Sequence, residues 1–256
     1  MADPTNLVWL TYLLFPAVGI AGAAVIMGWM YRSVWDKRGA KLFFVLIGIG
    51  MVWALTQFLY LLVPTISIGQ LLLQIQTVVA MVAFVMFVVF VSVYTESGFH
   101  RHPIVIAGNG IVLTGSVVLA ATNRYHDLLF ATIQPVTDPF QYLYVEPGLG
   151  FVGILLLIVV LIGYSWIALV LHFLDAPQES STQMLLILAG GFSIAIVEIL
   201  GNTGMLPAYG MNHAVYGTLP FLLFSTVALF RLGMFDIQPV ARNTIVENLR
   251  DSDHHP

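Results

Sequence analysis

Seven stretches of apolar residues, each long enough to cross a bilayer, set the limits on what this chain can fold into. A hydrocarbon core takes roughly 20 apolar residues per helical crossing. Such runs lie near Leu7 to Tyr31, Leu42 to Val63, Leu71 to Tyr94, Ile104 to Ala121, Gly148 to Phe173, Met184 to Thr203 and Ala214 to Phe235. The breaks fall where chemistry requires them: "RSVWDKRGAK" is charged, "VPTISIGQ" holds a Pro and a Gly, "YTESGFHRHP" is polar, and "DAPQESSTQ" is acidic with a Pro. The longest break runs from Thr122 to Pro147. A backbone in lipid must satisfy its own polar groups. The expected fold class is therefore all-α, a seven-transmembrane helix bundle that is multi-pass in the cell membrane, with the lipid bilayer as its first partner. Only 9% of the 256 residues are charged, whereas a water-facing surface needs about 25–35%.

The basic residues give an orientation. Arg32, Lys37, Arg38 and Lys41 lie in the first loop, Arg101 in the third, and Arg231, Arg242 and Arg250 after the last span, while Arg124 alone falls on the other side. The positive-inside rule then puts the N-terminus outside and the C-terminus in the cytoplasm. A nucleic-acid partner is not expected, because these charges are not gathered on one face. There is no cysteine, which removes disulfides, thiolate metal sites and thiol catalysis. "MADPTN" offers no basic region before the first apolar run, so that run is expected to remain as a membrane helix. Trp9, Tyr12, Tyr31, Trp35, Tyr60, Tyr94 and Tyr125 near span ends fit interfacial belts.

Glu198, in "IAIVEILGN", is the one carboxylate well inside a span, roughly 10 Å from the outer end by helical rise. An ionisable group at that depth marks function by default, with a protonated helix tie as the bland alternative. Asn202 lies one turn on. The second span carries Trp53, Thr56, Gln57 and Tyr60 on one face, the third opens with Gln70, Gln74 and Thr77, and the seventh begins with His213 and Tyr216. The inner halves are nearly pure Val, Leu, Ile and Phe. This pattern suggests an outward-opening polar pocket for a small-molecule or ion stimulus, lined by Glu198, Asn202, Gln57, Tyr60, Gln74, His213 and Tyr216; interhelical hydrogen-bond glue is the competing reading. Without a Lys or Arg at its depth, Glu198 is expected to be a neutral acid bonded to Gln57, Asn202 or Tyr216.

Other constellations carry less. The loop holding Arg124, His126, Asp127, Asp138 and Glu146 is long enough to cover a pocket mouth, although interfacial aromatics account for much of it. His126 beside Asp127 hints at a metal or proton sensor, against the commoner solvated loop histidine. "GNGIVLTGS" has no preceding strand, so its glycines suit close helix packing rather than phosphate binding, as do Gly19 with Gly22, Gly48 with Gly50 and Gly190 with Gly191. No catalytic residues, metal site or cofactor are expected. The seventh span has no lysine for a Schiff base, which excludes a retinylidene pump. A small ion-coupled membrane transporter is the alternative function.

After the last span, Pro239 permits a new helical start, and Val240, Ile245 and Leu249 set an apolar stripe at helical spacing. So short a helix needs a partner, most simply its own copy in a homodimer. Phe230-Arg231, Phe235-Asp236, Pro239-Val240-Ala241-Arg242-Asn243 and Ile245-Val246-Glu247-Asn248 are similar to the junction between the N-terminal seven-transmembrane region of prokaryotic, especially haloarchaeal, sensor histidine kinases and a PAS domain. Thr122-Asn123 with His126, and Pro147-Gly148 with Phe151, resemble other motifs of that family. Arg124, Asp127, Gly233 and Asn243 depart from its pattern. The resemblance implies a two-component sensory input module at residues 1-235 and a cytoplasmic transmission stub at residues 236-256 leading to a PAS-like output domain, with Arg231, Asp236, Pro239, Arg242 and Leu249 in transmission. It also implies that this chain is no enzyme, since the kinase machinery of the family lies downstream and neither a phospho-acceptor His box nor ATP-binding glycine motifs are found here.

Overall fold

The computed structural model of the 256-residue chain describes residues 6–37, 39–63, 65–175 and 178–230. Its helices are α1 (Leu7–Ser33), α2 (Ala40–Leu62), α3 (Ile66–Tyr94), α4 (Pro103–Thr122), α5 (Leu149–Asp175), α6 (Gln178–Asn202) and α7 (Thr218–Phe230). The first six are long and apolar enough to cross a membrane, and Ala214–Phe230 is a shorter apolar helix. All seven expected spans are thus helical. Local chemistry sets their ends. The Asn6 side chain caps α1 by accepting from the backbone N–H groups of Val8 at 3.0 Å and Trp9 at 3.1 Å. Pro103 opens α4, where its missing N–H costs nothing.

Helix α1 packs on α2 and α7, α2 on α3, α3 on α4 and α5, and α6 on α7. Protein covers 56% of the α3 span but only 28% of those of α1, α5 and α6, so α3 stands at the centre and the others face lipid. One apolar core fills the bundle around Met30, Phe43, Val88, Phe90 and Ile187, and a second gathers Tyr12, Tyr60, Leu129, Phe140 and Met211 at the other end.

The break from Thr122 to Pro147 is more structured than a loop. It holds an antiparallel hairpin of β1 (Phe130–Val136) and β2 (Tyr142–Pro147), with an irregularity in register between Phe130 and Thr132, so the chain departs from all-α at this one place. Asn123 organises the approach: its side-chain oxygen accepts from Leu129 and Phe130 N–H at 2.8 and 3.1 Å. The hairpin lies over the ends of the helices. Leu143 N–H donates to the Tyr60 hydroxyl at 2.6 Å, the Asn6 amide reaches Pro139 O, and Val145 N–H donates to Gly210 O at 3.2 Å.

Helices α6 and α7 meet closely. A β-carbon on Gly217 would stand 2.4 Å from Ile194 Cα, and the Ser193 hydroxyl donates to Gly217 O at 2.9 Å. Arg231, Asp236, Pro239, Arg242 and Leu249, with the rest of the stub, lie outside the described residues.

Candidate functional site

The chain turns back between α6 and α7 through residues 203–213 and enters α7 by a 3-10 turn, Ala214–Gly217. The first N–H groups of a helix have no partner within it. Here Glu198 supplies one from a neighbouring helix: its Oε2 accepts from His213 N–H at 3.0 Å and Ala214 N–H at 2.6 Å, while Oε1 accepts from the Asn202 amide at 2.9 Å. All three neighbours donate to the two side-chain oxygens. Of the three partners expected, Gln57, Asn202 and Tyr216, Glu198 meets Asn202 alone. Glu198 is also shallower than expected, since α6 ends at Asn202, about 6 Å further on by helical rise.

Beside this cap runs a chain of side-chain bonds. The Asn212 amide donates to Gln76 Oε1 at 3.3 Å, the Gln76 amide to Gln57 Oε1 at 3.0 Å, and the Gln57 amide to the Tyr216 hydroxyl at 2.9 Å. His213, only 1% exposed, places Nδ1 2.8 Å from Met211 O and Nε2 3.0 Å from Pro207 O and 3.1 Å from the Tyr12 hydroxyl. Tyr12 in turn donates to Pro207 O at 2.6 Å. Above them the Tyr142 hydroxyl donates to Tyr209 O at 3.0 Å. Burial, helped by Asp138 and Tyr144, pushes the Tyr142 phenol up, so it remains a donor. These polar groups bond to one another under the hairpin.

The cavity lies deeper and is apolar. It measures about 430 Å³ and touches α1, α2, α3, α5, α6 and α7, with walls that include Gly19, Gly50, Trp53, Phe84, Trp166 and Phe221. Glu198 contributes to its wall as well, so one residue belongs to both the polar joint and the cavity.

The seven apolar helices agree with a sequence comparison. The sequence model described as the N-terminal 7TM region of histidine kinase matches residues 13–239. The chain belongs to this family. A search of curated proteins finds no match. As a histidine-kinase 7TM region it is a multi-pass membrane protein and a sensory input module of a two-component system, a non-catalytic part that implies a cytoplasmic output domain.

Within this 7TM region the sequence-predicted residues divide. Gln57 and Tyr216 meet each other, Glu198 meets Asn202 and the backbone of His213, and Tyr60 serves the hairpin. Gln74 is half-buried, while Gln76 is fully buried and bonds to Gln57. Sequence reasoning passed over Gln76 and Asn212, and read Tyr12 as an interfacial aromatic when it is a buried hydrogen-bonding group. Polar residues inside apolar stretches were the available signal for the two amides. Among the described residues no group of three metal-ligating side chains occurs, and His126 places Nε2 2.7 Å from the Thr122 hydroxyl while its Nδ1 accepts from Leu128 N–H at 3.0 Å.

Proposed function

We propose that this sensor region detects its small-molecule or ion stimulus in the outer half of the bundle and transmits it through the last span to a cytoplasmic output domain. The observation that carries the reading is the pair of bonds from Glu198 to His213 N–H and Ala214 N–H, by which a side chain of α6 holds the beginning of α7. A stimulus that draws the carboxylate away, or tightens its hold, changes where α7 begins relative to α6. The helix carries that displacement inward as a rigid element, toward Arg231, Asp236, Pro239 and Arg242. The stripe of Val240, Ile245 and Leu249 then couples two copies of the chain, and the basic residues of the first and third loops support a cytoplasmic position for this end.

The test uses the chain joined to a kinase core whose autophosphorylation reports the signal. Glu198→Gln retains an oxygen for the two backbone donors while removing the carboxyl group, so the protein should fold and lose its response. A normal response from Glu198→Gln, with instability confined to Glu198→Leu, would make Glu198 a helix tie and sink the sensory reading of this site. Leu249→Asp should uncouple output while leaving the membrane part folded; unchanged output would remove the stub from the pathway.

A further inference from the structure

The turn between α6 and α7 contains a backbone conformation that its own sequence does not favour. Three of its residues are left-handed: Gly204 at φ +75°, Ala208 at φ +60° and Gly210 at φ +77°. Glycine takes this conformation freely. In Ala208 the β-carbon crowds the following carbonyl oxygen, and backbone of this kind persists only where its surroundings impose it.

The hairpin does the imposing. Ala208, 3% exposed, belongs to the apolar cluster that holds Phe140, Tyr142 and Leu143 of the hairpin together with Met211. Strand β2 also grips the two residues that follow Ala208: the Tyr142 hydroxyl donates to Tyr209 O at 3.0 Å, and Val145 N–H donates to Gly210 O at 3.2 Å. The Tyr144 ring occupies the place that a β-carbon on Gly210 would take, so glycine lets the strand seat directly on the turn.

The same turn ends in the joint. Met211 N–H donates to Ala208 O at 3.1 Å, and the His213 ring stands between Met211 O and Pro207 O, at 2.8 and 3.0 Å. Ala208 is therefore flanked by the residues that place His213, whose N–H, with that of Ala214, ends on Glu198. The backbone has two soft dihedrals per residue, so a return of Ala208 to a right-handed conformation re-aims the chain that follows. His213 and Ala214 would then leave Glu198.

We infer that the hairpin is a strap on this turn: seated, it keeps Ala208 left-handed and the Glu198 joint closed; displaced, it lets Ala208 relax and frees His213 and Ala214. Its outward residues Gln134, Pro135 and Glu146 are exposed, and it joins α4 to α5 at the end of the bundle away from the basic first and third loops. A stimulus arriving from that side meets the strap before it meets the buried joint. The inference deepens the proposed sensory role and rests on it only for the effect on output.

Hydrogen exchange of the full chain in nanodiscs tests the strap. The amides of His213 and Ala214 report the joint, and those of Val88 and Phe90, both fully buried, report the core. Tyr142→Phe removes the bond to Tyr209 O, and Tyr144→Ala uncovers Gly210. Each should speed exchange at His213 and Ala214 roughly three- to tenfold with the core rates unchanged, as a local opening does. In an Ala208→Gly background, where the left-handed form carries no penalty, the same substitutions should change those rates less than about twofold. Faster exchange at Val145 with none at His213 and Ala214 would make hairpin and joint independent and overturn the strap. An undiminished effect in the Ala208→Gly background would remove Ala208 from the device and overturn the inference as well. If exchange responds as expected while autophosphorylation of the kinase-fused Tyr142→Phe chain stays at the parental level, the strap stands and the proposed sensory role of the joint fails instead.

Discussion

The outer joint between α6 and α7 and the cavity below it treat polar groups in opposite ways. In the joint, Glu198, Asn202, Gln57, Gln76 and Tyr216 each have a named partner within hydrogen-bond reach. Around the cavity, the Trp53 and Trp166 N–H groups are enclosed by packing and have no hydrogen-bond partner among the described residues. Where partners are all in place, a lost atom leaves a buried group stranded. Where space has been left, an added atom meets nothing. The bundle is thus stiff at the start of its last span and accommodating beneath it.

Substitutions can break or sharpen this contrast. The largest effect is expected from Gly217→Ala, whose β-carbon would lie 2.4 Å from Ile194 Cα and 2.8 Å from its nitrogen. Backbone cannot yield as a side chain does, so the loss should exceed ~3 kcal/mol, read as failure to fold or a large fall in thermal midpoint in detergent. A midpoint near that of the parent would mean that α6 and α7 are not so closely joined. Glu198→Leu comes next. It strands the N–H groups of His213 and Ala214, at ~1–3 kcal/mol for each unsatisfied group, and hydrogen exchange at residues 213 and 214 should rise.

Tyr60→Phe removes the hydroxyl that accepts from Leu143 N–H. We expect about 1–3 kcal/mol, seen as faster exchange at Leu143 and earlier proteolysis within the hairpin, with the helices unchanged. The smallest effect, of the opposite sign, belongs to Gly19→Ala. This position is helical with open space beyond it, so helix propensity alone should raise stability by about 0.5–1 kcal/mol. A destabilising result would show that the cavity wall tolerates no filling and would erase the contrast with Gly217.

The seven spans were legible because each apolar stretch must be a helix in lipid whatever it packs against. The hairpin was not: Pro135 sits inside β1, and its aromatic and polar residues follow no clean alternation. Glu198 was legible as an exceptional residue, but its partners were not. They are backbone groups delivered by a chain reversal through residues 203–213, whose path side-chain identities do not announce. Gln74 and Gln76 teach a related lesson. They lie about 200° apart around a helix, and α3 is apolar on nearly every side, so the sequence could not say which amide faced α2. The two cavity glycines were invisible in a different way, since a residue that allows contact and one that leaves room are spelled alike.

Because the carboxylate of Glu198 ends on main-chain amides, its grip on the last span is indifferent to what residue 214 is, provided that residue is not proline. The connection has a single author in the sequence. No side chain of the receiving residues takes part in these two bonds. A screen built on pairs of side chains would pass over this joint, whereas a proline scan through positions 213 and 214 would find it at once.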